Sequence, residues 1–377
     1  MKTFIFFITL LFLCSLNIVA QKYPSKSDLI STIENVNNYW QSTHPIPGNN
    51  SWDIAAYHTG NMEAYYVTGN KNYLRYSEEW ANKNKWEGAV SDDKTKWKYK
   101  YGETADYVLF GDWQICFQTY IDLYNLKPDS FKIARALEVM GYEISTPQND
   151  YWWWADGLYM VMPVMTKLYK VTGNQLYLDK LYEYFTYASS IMYDPETNLF
   201  YRDARFVFPQ HKTANGKKDF WARGDGWVFA GLAKVLKDLP KNYKHRDYFV
   251  KYFQKMAKTI RLSQQPEGYW SRSMLDPLQA PGRETSGTAF FTYGLIWGIN
   301  NGYLNEKAYL PTALNGWHYL STIALQPNGK VGYVQPIGEK AIPGQVVDVN
   351  STANFGVGAF LLATSEIVRF SDKKHLQ

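Results

Sequence analysis

Tyr66-Val67-Thr68-Gly69-Asn70-Lys71-Asn72-Tyr73-Leu74 and Tyr169-Lys170-Val171-Thr172-Gly173-Asn174-Gln175-Leu176-Tyr177-Leu178 are one turn written twice, with a single residue of drift. A glycine that ends a helix takes the left-handed cap, and the Asn or Asp after it caps the next helix, so each copy reads as a tight helical hairpin. Asn300-Asn301-Gly302-Tyr303-Leu304-Asn305 and Asp238-Leu239-Pro240-Lys241-Asn242-Tyr243 occupy comparable places. Hairpins returning every ~50 to 70 residues mark a repeat architecture.

Working outward from these turns, apolar periodicity predicts helix after helix with hardly a strand between them. The segments are Lys26 to Thr43, Asp53 to Val67, Lys71 to Asn84, Ala105 to Tyr124, Ser130 to Ile144 and Ala155 to Val171. Six more follow: Gln175 to Met192, Gly226 to Leu236, Arg246 to Leu262, Ser286 to Asn300, Glu306 to Ala324 and Thr352 to Phe370. An open solenoid and a closed ring of six hairpins both accommodate them. The long connections decide for the ring: Trp86 to Gly102, Thr146 to Trp154, Asp194 to Arg223, Gln264 to Thr285 and Gln326 to Ser351 all fall at the hairpin ends opposite the Gly-Asn turns. Crowded at one end of a closed barrel they wall a pocket. The expected fold is therefore all-α, an (α/α)6 toroid.

Met1-Lys2-Thr3 followed by the apolar run Phe4 to Leu13 and the small-residue site at Ala20-Gln21 reads as an export signal, residues 1–20. The run is well short of the ~20 apolar residues that cross a bilayer. A lipid anchor on Cys14 is a weaker alternative. The expected location is periplasmic or secreted, with residues 21–377 as a single catalytic domain because no Pro-, Gly- or Ser-rich linker divides them. Cleavage would leave Cys116 as the sole cysteine, which excludes an internal disulfide. The formal charge of +5 is scattered among acidic residues, which argues against a nucleic-acid partner and suits an acidic substrate. Aromatic residues make up 17% of the chain, with 14 Trp and 31 Tyr. Clusters of such flat apolar faces with polar tips are surfaces on which sugar rings stack.

The candidate chemistry lies at the long-loop ends. In Tyr151-Trp152-Trp153-Trp154-Ala155-Asp156-Gly157-Leu158-Tyr159-Met160, Asp156 sits in the first turn of a helix beside three tryptophans. Apolar walls raise a carboxyl pKa and a helix N-terminus lowers it; if the walls win, Asp156 holds a proton near neutral pH and acts as a general acid. Gly111-Asp112-Trp113-Gln114 offers Asp112 as a second carboxylate and Gln114 as a hydroxyl partner. In Phe220-Trp221-Ala222-Arg223-Gly224-Asp225-Gly226-Trp227, aromatics frame an arginine whose planar fork suits a uronic acid; a structural pair with Asp225 is the plainer alternative. Pro281-Gly282-Arg283-Glu284-Thr285-Ser286-Gly287-Thr288 reads nearly as well as a helix cap. His58 is the one histidine near the pocket end. No metal motif, phosphate loop or nucleophile elbow is present, so no cofactor is implied.

Taken together with Ser273-Met274-Leu275-Asp276-Pro277 and Gly356-Val357-Gly358-Ala359-Phe360-Leu361-Leu362-Ala363, these motifs resemble glycoside hydrolase family 105, the unsaturated rhamnogalacturonyl hydrolases and their relatives, from about Trp52 to Phe370. The resemblance implies a six-hairpin toroid and removal of a 4,5-unsaturated uronic acid from the non-reducing end of lyase-generated oligosaccharides, by hydration of the C4=C5 bond. It further implies Asp156 and Asp112 as catalytic residues, with Arg223, Trp227, Tyr57, His58, Trp154, Trp221, Met160 and Gln114 around the substrate. Two departures stand out. The family often has adjacent aspartates where this chain has Asp112-Trp113, and rhamnogalacturonyl members carry a pocket histidine where Phe200-Tyr201 is followed here by Arg202-Asp203. The second leaves the +1 sugar open. A conventional exo-glycosidase on a saturated sugar and a non-catalytic glycan-binding toroid are the alternatives, and the oligomeric state is not legible.

Overall fold

The computed structural model describes residues 23–46 and 48–375; the expected export segment with Cys14 lies outside them. The fold is an (α/α)6 toroid. Among the described residues twelve α-helices follow one another: α1 (Lys26–Thr43), α2 (Trp52–Thr68), α3 (Lys71–Lys83), α4 (Cys116–Leu126), α5 (Phe131–Ser145), α6 (Ala155–Thr172), α7 (Leu176–Met192), α8 (Ala222–Asp238), α9 (Arg246–Ser263), α10 (Ser286–Asn300), α11 (Glu306–Tyr319) and α12 (Asn354–His375). A two-residue hairpin, β1 (Tyr193–Asp194) with β2 (Leu199–Phe200), is the sole ladder among them. No helix among these residues is long and apolar enough to cross a membrane.

The turns behave as their chemistry dictates. Gly69 and Gly173 adopt φ of 69° and 70° and return their N–H groups to Tyr65 O and Tyr169 O, while Asn70 and Asn174 accept from the N–H two residues on. Burial then sorts the helices into two layers. The even-numbered helices pack side by side, α2, α4, α6, α8, α10, α12 and back to α2, and the odd-numbered ones lie outside them. Every residue of α10 from Ser286 to Ile299 is buried, as expected of an inner helix apolar all round. Outer α9 buries a stripe instead, Phe249, Phe253, Met256, Ala257 and Ile260. The ring closes where α2 meets α12, and glycine permits it: a Cβ on Gly60 would sit 2.1 Å from Gly358 O, and one on Gly358 would sit 2.4 Å from Ala56 O.

The inner helices all begin at the same rim, because the tight turns join inner to outer helices and the long connections run from outer helices back to inner ones. Two expected helices start elsewhere. The segment predicted from Ala105 to Tyr124 is helical only from Cys116, and Gly111–Trp113 form a separate short turn closed by Gln114 N–H on Gly111 O. That break presents Asp112 at the rim instead of along a helix face. At α8 the helix starts four residues before the expected Gly226, which places Arg223 inside its first turn.

Candidate active site

A cavity of about 1200 Å³ opens at this rim. Its wall includes Trp52, Phe110, Trp113, Trp153, Trp154 and Met160, and its polar lining includes Asp112, Asp156, Arg202 and Asp203. Asp156 and Met160 stand one turn apart on α6, both facing the cavity. Trp154 packs at a tilt against Phe110 and Trp153, with ring centroids 4.7 and 4.9 Å away, so the aromatic run before α6 forms a continuous apolar wall.

The two aspartates are uncomfortable neighbours. Burial, then the nearby Asp156 carboxylate, pushes Asp112 up to about 8, with Arg202 opposing. Burial also raises Asp156, against the pull of Arg202 and Arg223. Asp156 Oδ2 is buried with no hydrogen-bond partner, and the nearest cation is Arg202 Nε at 3.6 Å. The Asp156 carboxylate disfavours ionisation of Asp112, so Asp112 keeps its proton at neutral pH. Asp156, the residue expected to hold a proton beside the tryptophans, is raised as well, with Asp112 as its neighbouring acid.

Arg202 reaches this position through the loop after β2. Trp154 and Asp203 form an isolated antiparallel bridge, and Ala155 N–H donates to Arg202 O at 2.8 Å, which fixes the loop against the start of α6. Buried Asp225 of α8 accepts from Phe200 N–H at 2.8 Å and holds the same loop from behind, rather than pairing with Arg223. Asp203 accepts from Arg202 and Arg205, and Arg205 reaches across to Glu339 at 2.7 Å.

Six of the sequence-predicted residues lie in the wall behind the cavity instead of on its surface. Arg223 is sandwiched between the rings of Trp221 and Phe355, 4.5 and 4.6 Å from their centroids, and spends its fork on Gln335 O (2.6 Å) and Pro336 O (2.8 Å). It braces the segment from which Ile337, Gly338 and Glu339 line the cavity. Trp221 Nε1–H donates to Gln335 Oε1 in the same brace. Trp227 is buried against Tyr159 and Phe290. Tyr57 donates to Asn37 Oδ1, and Gln114 to Glu143 Oε2. His58 stacks between Tyr76 and Trp80 with Nδ1 on Ser77 Oγ, and burial lowers its pKa well below the usual imidazole range. Glu284 takes the cap role: it accepts from Ser286 and Gly287 N–H and from Gln335 N–H. Sequence reasoning missed Trp52, Trp113, Arg202, Arg205 and Glu339 as cavity residues.

Comparison with known proteins agrees with this architecture. The sequence model of Glycosyl Hydrolase Family 88 matches residues 29–371. A curated relative from Formosa agariphila, an unsaturated 3S-rhamnoglycuronyl hydrolase, is 33% identical across 95% of both chains. A solved structure of a glycosyl hydrolase family 88 protein from Bacteroides vulgatus is 60% identical with a TM-score of 0.90, covering 92% of this chain and 100% of its own. Another, named a polysaccharide lyase, is 66% identical with a TM-score of 0.91 and covers 92% of this chain and 98% of its own.

Proposed function

This chain belongs to Glycosyl Hydrolase Family 88, and from that premise we propose that it removes a 4,5-unsaturated uronic acid from the non-reducing end of lyase-generated oligosaccharides by hydrating the C4=C5 bond. Within the wider group we read it as closest to the family 105 enzymes, on the motifs around Asp156, Arg223 and Glu284. The observation that carries the reading is the pair of buried carboxyls, Asp112 and Asp156, both raised above the usual range in an aromatic cavity.

The chemistry follows from that pair. One carboxyl delivers its proton to C4 while positive charge develops at C5 and on the ring oxygen. Water adds at C5, and the ionised partner takes its proton, so the pair is restored with one water consumed. The hemiketal then opens and releases the next sugar. Carboxylates near the charge stabilise the oxocarbenium-like state, and the Trp faces give the ring a platform. All six inner helices also aim their positive N-terminal ends at this rim, which favours an acidic substrate. The rhamnoglycuronyl activity for which the Formosa relative is named makes a uronic acid linked to rhamnose the first substrate to try. Residues 1–20 support export to the periplasm or beyond.

A lyase reading is favoured by the name of the relative that is 66% identical. The two reactions have opposite signs. Hydration destroys the ultraviolet absorbance of the conjugated C4=C5 bond, and β-elimination creates it. We expect lyase digests of acidic polysaccharides to lose absorbance with the purified protein. A gain on intact polysaccharide would establish the lyase instead, and no change on any digest would sink the hydrolase reading.

A further inference from the structure

We propose that Arg202 grips the C6 carboxylate of the unsaturated sugar through its Nε–Nη2 edge, an assignment that rests on the hydration reaction above. The cavity wall holds three cationic side chains, Lys100, Arg202 and Arg205. Lys100 is exposed and presents a point charge. Arg205 is 61% exposed, and its Nε and Nη2 are committed to Asp203 and Glu339. Arg223, the residue whose motif first suggested this role, has its fork closed by two backbone carbonyls.

Arg202 differs from all of these. Its side chain is 12% exposed and its guanidinium lies 5.7 Å from the Trp153 ring centroid. Nη1 is occupied, by Asp203 Oδ2 at 2.6 Å and more distantly by Glu339 Oε2 at 3.5 Å. Nε is buried without a hydrogen-bond partner, and Nη2 makes no hydrogen bond among the described residues. A buried guanidinium with one edge satisfied and the other open is matched by a planar, two-oxygen anion. The open edge points toward Asp156, whose Oδ2 is likewise unpartnered.

The position also fits the reaction. C6 is bonded to C5, and C4 is the next ring atom, so a carboxylate seated on Arg202 brings the double bond beside the acid that must protonate it. The anchor of Arg202 O on Ala155 N–H ties this grip to the helix that carries Asp156. Arg202 is thus both a binding residue and the group that registers the ring against the carboxyl pair.

The test compares the free acid with the C6 methyl ester of one unsaturated disaccharide, in the wild type, Arg202→Gln and Arg202→Lys, with circular dichroism melts as the control for folding. Intrinsic reactivity of the two substrates is the same for every enzyme, so it cancels in the ratio of ratios. We expect the wild type to favour the acid in kcat/KM by about 10- to 100-fold. Arg202→Gln should lower the acid-to-ester ratio about 10-fold or more relative to the wild type, mainly by losing activity on the acid, and Arg202→Lys should fall between. If Arg202→Gln melts early, the Lys variant carries the test. A variant that keeps the wild-type acid-to-ester ratio overturns the assignment, whatever its absolute activity. A wild type that turns over neither substrate overturns the hydrolase reading and this inference with it.

Discussion

At the C-terminal ends of the inner helices, Glu63 of α2 is held by Lys237 and Arg369, Asp122 of α4 pairs with Lys167 of α6, and Asp238 of α8 accepts from Lys170. At the N-terminal ends of the same helices, Asp112 and Asp156 both feel the charge of Arg202. Burial pushes Glu63 and Asp238 upward just as it pushes Asp112 and Asp156. At the floor the cations more than offset this and hold Glu63 and Asp238 below the usual range; at the rim they do not, and both aspartates stay above it. Burial alone does not mark a functional acid. What separates Glu63 and Asp238 from Asp112 and Asp156 is how many cationic partners each carboxylate has.

The comparison breaks first if the rim acids prove dispensable. Asp156→Asn should lower kcat/KM by at least about 10³-fold and Asp112→Asn by about 10²-fold or more, read from the loss of absorbance on a lyase digest. Activity should also fall as pH rises through about 8, where Asp112 loses its proton. The same residue sets a stability signature of the opposite kind. Its pKa rises from 3.8 in an unfolded chain to about 8 in the fold, so between those values the native state binds a proton the unfolded state has released, and stability declines with rising pH. Asp112→Asn lacks that decline. It should melt above the wild type at about pH 8, with the gap closing toward about pH 5. Equal melting at both pH values would mean Asp112 is not held as a raised acid.

The floor is expected to respond in the reverse sense. Lys167→Met leaves Asp122 and Asp238 without their shared cation, and removing one partner of a mostly buried pair typically costs about 3 kcal/mol or more. Thermal denaturation should show that loss, while kcat/KM of the folded fraction stays within about twofold of the wild type. A Lys167 variant that folds normally and loses turnover would place function at the floor as well.

The sequence made the floor-to-rim axis legible but not which way each side chain turns about a helix. Gly69-Asn70 and Gly173-Asn174 could be read because left-handed caps are local chemistry, and twelve helices follow from apolar periodicity. Asp156 with Met160 and Arg223 with Trp227 have the same spacing of four at the start of an inner helix. The first pair faces the cavity, and the second faces Gln335, Pro336, Phe355 and Phe290 in the wall. That choice is made by how α8 is rotated against α10 and α12, a tertiary fact absent from either motif. Arg202 was visible only as a departure from a motif. Its place depends on the bridge between Trp154 and Asp203, which joins segments about 50 residues apart in sequence.

The finest probe of the rim is Glu339, the side chain through which the 337–339 segment touches Arg202 and Arg205. Two effects of Glu339→Gln compete. Losing the pair with Arg205 loosens the segment, but both side chains are substantially exposed, and such pairs contribute only about 0.2–1 kcal/mol. The segment is also braced from within by Arg223 on Gln335 and Pro336 and by Trp221 on Gln335. Removing the charge relieves repulsion of an incoming carboxylate and frees Arg202 Nη1 from an anion 3.5 Å away. With the brace intact the second effect should win, so KM falls by about two- to threefold at low salt with kcat unchanged. The difference should vanish near ~1 M salt, where the Debye length shrinks to ~3 Å. A higher KM, insensitive to salt, would show instead that Glu339 serves the rim as Lys167 serves the floor, as a structural tie.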